Sequence, residues 1–283
     1  QKHIELHPLR REIIATHVVN SMVNRVGSTF VHRLSEETGF APPDIVRSYL
    51  LAREVFGFVP LWKEIEALDG KLKASVQIEL LLEIGRFIVR ATRWFLHNRH
   101  GGIEETISFF AAQVSSLEAR LDELIGETER LGFGRAAEEL RNANVPTDLA
   151  RKIASLDTLY SVLDLAKVTA ESKVSIAQTA ASYFALGSAF DLPWVRNQII
   201  ALEPQNHWQA RAKNNLLDEL DQFKREILAG FLKRYAALNL AQWETDHARE
   251  LARYRQVLSD LKASGAMDFS TASLALRELK VFV

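Results

Sequence analysis

His7 to Leu34 reads HPLRREIIATHVVNSMVNRVGSTFVHRL, and the reading of this stretch decides the fold class. Ile13, Ile14, Val18, Met22, Val26, Phe30 and Leu34 recur at the spacing of a helix face, so they form one apolar stripe. Arg10, Arg11, Glu12, Asn20, Asn24 and Arg25 fill much of the remainder. The expectation is one continuous helix that ends near Thr38-Gly39, where glycine accepts a left-handed cap. Periodicity carries this stretch as far as the core helix of a helical domain.

The same grammar extends along the chain. A connector, Phe40-Ala41-Pro42-Pro43, leads into a helix from about Asp44 to Phe56, with Ile45, Tyr49, Ala52 and Phe56 inward and Gly57 as its stop. A short helix over Pro60 to Leu68 presents Leu61, Trp62 and Ile65. Lys73 to Arg99 reads as a long helix lined by Val76, Leu80, Ile84, Phe87, Ala91, Trp94 and Phe95. Ile103 to Ile125 reads as another, closed by Gly126. Over Glu127 to Asn144 the pattern weakens, and Gly132 and Gly134 predict a break. Helices follow at Thr147 to Ser155, Thr158 to Glu171, Val174 to Ala189 and Trp194 to Leu202. Gln205 to Tyr235 and Leu240 to Ala263 suggest a long helical hairpin around Asn239, and Asp268 is the N-cap of a last helix over Phe269 to Leu279. The expected fold is all-α, an irregular multi-helix bundle of long and short helices with no sheet. Asn144-Val145-Pro146 is the expected linker between helical subdomains at 1–144 and 145–283, with one continuous domain as the alternative.

Composition agrees. The chain has 283 residues, 47% of them hydrophobic and 25% charged, so it can bury a sizeable core. Its formal charge of -1 supplies no global field to recruit nucleic acid or an acidic membrane. The absence of cysteine excludes disulfides, thiol nucleophiles and cysteine metal sites, and fits a cytoplasmic setting. No apolar run is long enough to span a membrane. The N-terminus lacks a charged-then-apolar secretory pattern, and a start at Gln1 in place of Met is what a piece of a longer chain would show.

Three patterns invite a chemical reading. Gly132-Phe133-Gly134-Arg135-Ala136-Ala137 fits the loose dinucleotide spacing, but that chemistry needs a strand ahead of it, and Glu127 to Leu131 is charged and helical, so the nucleotide reading is rejected. Glu244-Thr245-Asp246-His247 is a Glu-x-x-His on a helix. A di-iron bundle needs a second such motif and further glutamates, so solvated surface is the expected role, and the same holds for the i, i+4 pair His3 and His7. Arg86, Arg90, Arg93, His97 and His100 form a basic stripe that could grip an acidic partner or nucleic acid. Glu79 and Glu83 stand one turn earlier in the orientation that pairs with arginine, so a salt-bridged helix surface is the expectation. His17 and His32 lie beside Ser21, Ser28 and Ser35 with nothing to set a base against a nucleophile, and Trp62, Trp94, Phe95, Tyr183, Phe184 and Trp194 are expected in the core.

Function enters through resemblance. His7-Pro8-Leu9-Arg10-Arg11-Glu12-Ile13-Ile14-Ala15-Thr16, then Val23 to Gly27 and Thr29 to Leu34, resemble the C-terminal region of the large bacterial NAD-specific glutamate dehydrogenases. The similarity continues through Tyr49 to Phe56, Arg90 to Leu96, Tyr183 to Gly187 and Leu274 to Leu279, in the family's order and over nearly the whole chain. It implies a parent enzyme that oxidises L-glutamate to 2-oxoglutarate and ammonium while reducing NAD. It also implies that the catalytic lysine, the substrate site and the dinucleotide fold lie upstream of the matched region, so no catalytic, cofactor-binding or metal-binding residue is assigned here, and the expected role of the region is assembly, interdomain packing or regulation. The implied partners are the upstream catalytic domain of the same polypeptide and further copies in a homo-oligomer, with neither nucleic acid nor membrane expected. Arg10, Arg11, Arg25 and Arg33 are the expected points of contact with that upstream region. The alternative is a stand-alone binding module acting through Arg86, Arg90 and Arg93.

Overall fold

The computed structural model describes residues 7–98, 101–125, 127–172, 174–235, 239–265 and 267–283, with backbone alone at 127–129. Among them there are α-helices, turns and one terminal 3-10 turn and no strand, so the fold is all-α as expected. Two compact units emerge. The first comprises residues 1–119 and 132–163, and the second residues 120–131 and 164–283.

The first unit begins with α1 (Arg10–Val26) and α2 (Phe30–Thr38). These are two helices, not the one continuous helix that the apolar stripe suggests. Gly27 leaves helical geometry at φ 92° and ψ 157°, and its amide donates back to the Val23 carbonyl. Phe30 and Leu34 then bury on α2, so the stripe persists across a corner that periodicity does not register. After Gly39 caps α2 in the left-handed region, α3 (Pro42–Val55) starts with proline in its first turn, where a missing N–H is harmless. Its inward residues are Ile45, Tyr49, Ala52 and Val55, while Phe56 is half-buried just past its end. Next come α4 (Phe58–Glu66), which buries Leu61, Trp62 and Ile65, and α5 (Ala74–His97). The centre of this unit is α5 laid along α3, with α1, α4 and later α9 against it.

The core around α5 is aromatic. Phe87 meets Phe56, Phe58 and Tyr160 edge-on at centroid distances of 4.7, 5.3 and 5.9 Å. Trp94, Phe95 and Phe110 form a second edge-to-face cluster at 5.2 to 5.5 Å. Such pairs add about 0.5–1.5 kcal/mol each beyond the area they bury. Phe110 lies on α6 (Ile103–Ala119). The expected helix to Ile125 breaks at Arg120, which leaves helical geometry at φ -119°, and α7 (Leu121–Leu124) follows as a separate turn.

The expected break at Gly132 and Gly134 does not occur. Both glycines lie inside one helix, α8 (Glu127–Asn142). Glycine in a helix interior costs about 0.5–1 kcal/mol relative to alanine, a penalty a helix can carry without stopping. The stop comes at Asn144, which takes the left-handed conformation at φ 66°. Then α9 (Thr147–Tyr160) runs past the expected end at Ser155, and α10 (Val162–Ser172) follows at once.

In the second unit α11 (Ile176–Ala189) opens with a reciprocal capping box between Ser175 and Gln178. It packs on α12 (Leu192–Ala201) and on the long α13 (His207–Arg234). Beyond residue 239 the chain divides at His247 into α14 (Leu240–Asp246) and α15 (Ala248–Ser264), in place of the single second arm of a hairpin. The final helix, α16 (Phe269–Leu279), lies against α12, α13 and α15. Asp268 caps it through the Thr271 amide at 2.7 Å, as the sequence predicts. A terminal 3-10 turn over Lys280–Phe282 puts the Phe282 ring 4.8 Å from Phe190. The Tyr254 hydroxyl donates to the Phe190 carbonyl at 2.9 Å, and burial holds that hydroxyl far above its ordinary range for ionisation.

Candidate functional site

The basic stripe of α5 is the first place to look for a binding surface, and its members have different fates. Arg86 is exposed and donates to Glu79 and Glu83 at 2.7 and 2.5 Å. Hydrogen bonds to those two carboxylates hold its guanidinium above its usual range. This is the salt-bridged surface expected from the spacing. The next two arginines turn inward. Arg90 reaches Asp157 on α9 at 2.8 Å and stacks over Tyr160 at 3.9 Å and Phe87 at 5.6 Å. Arg93 forms a near-buried pair with Glu37 of α2 at 2.7 Å, the two side chains keeping 8% and 12% of their surface. The expectation of a continuous surface stripe is therefore corrected at Arg90 and Arg93. Helical spacing places them on one side of α5, but α2 and α9 cover that side and bring acidic partners. His97 is exposed with its ring against Phe40 at 5.3 Å, and His100 lies outside the described residues.

The other motifs also resolve into structure. Gly132 to Ala137 sit inside α8, where no strand-to-helix loop cradles a phosphate. Glu244 pairs with Arg255 at 2.7 Å. His247 is taken up by stacking on Trp243 at 4.6 Å and by a contact of its Nδ1 with the Trp243 carbonyl at 2.9 Å. His3 lies outside the described residues, and His7 Nδ1 accepts the Leu9 amide at 3.1 Å. Among the described residues no three metal-ligating side chains gather. His17 is exposed, and His32 approaches Glu36 at 3.7 Å on the surface. Trp62, Trp94, Phe95, Tyr183 and Phe184 are buried as expected, while Trp194 is half-buried with the Lys262 ammonium 5.1 Å from its ring.

In the second unit a fully buried carboxylate, Asp164, pairs with Arg225 at 2.9 Å across α10 and α13. Arg196 and Asp221 join α12 to α13 at 2.8 Å. These pairs fix helix register, and no reading of the linear sequence singles them out because their members stand 61 and 25 residues apart.

What remains open is the face of α1. Its arginines do not behave alike. Arg25 pairs with Glu66 at 2.5 Å and lies 4.8 Å over the Trp62 ring, so it holds α1 to α4. Arg10, Arg11 and Arg33 are exposed. The apolar stripe buries only at Val18 and Met22 within this helix, and Leu9, Ile13, Ile14, Val19 and Val23 stay in solvent. With Val46 and Leu50 of α3, residues Ile14, Val18 and Val19 line an open apolar groove with Arg11 at its margin. Sequence reading missed the α3 side of this groove. The available signal was that Val46 and Leu50 lie one place off the inward positions Ile45 and Tyr49.

Comparison with known proteins gives the region its identity. A family model described as glutamate dehydrogenase, C-terminal, matches residues 1–281. The NAD-specific glutamate dehydrogenase of Pseudomonas aeruginosa is 34% identical over 281 residues, that of Halomonas elongata 32% over 279, and that of Mycobacterium tuberculosis 30% over 284. These alignments cover 96 to 98% of this chain and 17% of each relative, so the chain spans about a sixth of the length of the relatives it matches. Matched from end to end by that model, the chain belongs to the glutamate dehydrogenase C-terminal family.

Proposed function

We propose that this chain is the non-catalytic C-terminal helical portion of an NAD-dependent glutamate dehydrogenase, an oxidoreductase converting L-glutamate, water and NAD to 2-oxoglutarate, ammonium, NADH and a proton. Its role there is assembly and interdomain packing of a cytoplasmic homo-oligomer. The observation that carries this reading is the family match over residues 1–281 together with coverage of only 17% of each relative. The structure supports a packing role through its chemistry. Two arginines of the α5 stripe make ion pairs within their own unit, Arg90 with Asp157 and Arg93 with Glu37. NAD and the reacting lysine would belong to the catalytic portion of the same polypeptide. Glutamate-dependent NAD reduction is measured for this chain and for the whole polypeptide encoded by its native reading frame. Turnover by the whole polypeptide alone is expected, and turnover by the 283-residue chain would overturn the non-catalytic assignment.

A further inference from the structure

Resting on that reading, we propose that the open groove between α1 and α3 is the seat of the upstream polypeptide of the same chain, entered by an apolar helix face that carries a carboxylate at its edge. The groove is apolar in its lining, with Ile14, Val18 and Val19 on one wall and Val46 and Leu50 on the other. Ile14 and Val19 keep 45% and 41% of their surface, although neighbouring Val18 buries. An apolar groove on an exposed helix face offers a surface for another element to pack on. Arg11 stands at the margin and Arg10 beside it, both exposed, which sets the charge of the missing edge.

Two observations favour upstream polypeptide over a second copy of this chain. The family model describes a C-terminal region, and the relatives are about six times as long, so a great length of chain outside this structure accompanies the region in them. Moreover, a C-terminal region joins the rest of its polypeptide at its N-terminal side, and the groove is lined by the first turns of α1. A segment tethered there meets the groove at the high effective concentration of an intramolecular contact, on the order of millimolar for a short linker. A separate copy has no such advantage.

Hydrogen exchange at the backbone amides of Arg10–Val26, and at the Val46 and Leu50 amides, tests this in the full-length polypeptide and in the 283-residue chain. Exchange around the groove is expected to be at least about ten-fold slower in the full-length protein, a difference of about 1.4 kcal/mol. The double substitution Ile14→Arg, Val19→Arg should abolish that difference while leaving the urea midpoint of the 283-residue chain unchanged, since both side chains are exposed in it. Equal exchange in the two proteins, with the full-length enzyme active, overturns this inference and leaves the parent reading intact. Concentration-dependent dimers of the 283-residue chain that the double variant dissolves overturn it in favour of a second copy. A native reading frame without a dehydrogenase upstream removes both.

Discussion

Two helices of the first unit, α1 and α5, have the same ingredients and opposite surroundings. Each is a long amphipathic helix with an apolar stripe and several arginines. On α5 every residue from Ala91 to Leu96 is buried, Arg93 included, because α2, α3 and α9 close over it. On α1 the first two turns bury nothing, and the stripe reaches the core only at Val18 and Met22. Amphipathicity therefore states that a helix has a face to cover, and it leaves open what covers it. Where the cover is in the same unit the arginines find carboxylates. At the open start of α1, Arg10 and Arg11 stay in solvent.

The largest effect should come from the α5 core. Phe95→Ala removes a ring at 1% exposure that touches Trp94 and Phe110, and should lower the urea unfolding free energy by about 3–5 kcal/mol. Glu37→Ala removes a carboxylate from the near-buried pair with Arg93, and a loss of about 1.5–3 kcal/mol is expected at neutral pH, with Glu37→Gln costing less. At the crossing of the two helices the sign reverses. A Cβ added at Gly85 would sit 3.8 Å from the Arg25 carbonyl, an ordinary contact, so Gly85→Ala should raise stability by about 0.5–1 kcal/mol. Destabilisation there would mean that α1 and α5 approach more closely than described. Arg86→Ala, at an exposed pair, should change stability by less than about 1 kcal/mol, and that small loss should shrink further in molar salt. Smallest is Ile14→Ala, within about 0.5 kcal/mol in the 283-residue chain, because the side chain gains little from folding. A large loss at Ile14 would place a cover over α1 within this chain and end the contrast between the helices.

Much of the fold was legible because it rests on local signals. The caps at Gly39 and Asp268, proline in the first turn of α3, and the stripe of α5 each follow from a few consecutive residues. The errors share a cause as well. The corner at Gly27 preserved helical spacing on both sides, so the pattern ran through it. At Gly132 and Gly134 the residue type predicted a break that its modest energetic cost does not impose. The division of α14 from α15 at His247 carries no strong breaker residue. As to sites, the spacing of Arg86, Arg90 and Arg93 revealed a shared side of α5, and only Arg86 and its two glutamates, all on one helix, could be paired from spacing.

The sequence by itself determined that the chain is helical, the bounds of α3, α4, α5, α11, α12, α13 and α16 to within about two residues, and, through its ordered blocks, which family it belongs to. Those properties depend on residues within a turn or two of one another and on linear order. Only the tertiary structure decided that Arg90 and Arg93 face inward onto Asp157 and Glu37, that Asp164 buries against Arg225, and that Ile14 and Val19 stay exposed. Burial and pairing depend on what another element brings across tens of residues of intervening chain, and the stripe on one helix holds no record of whether its partner is present.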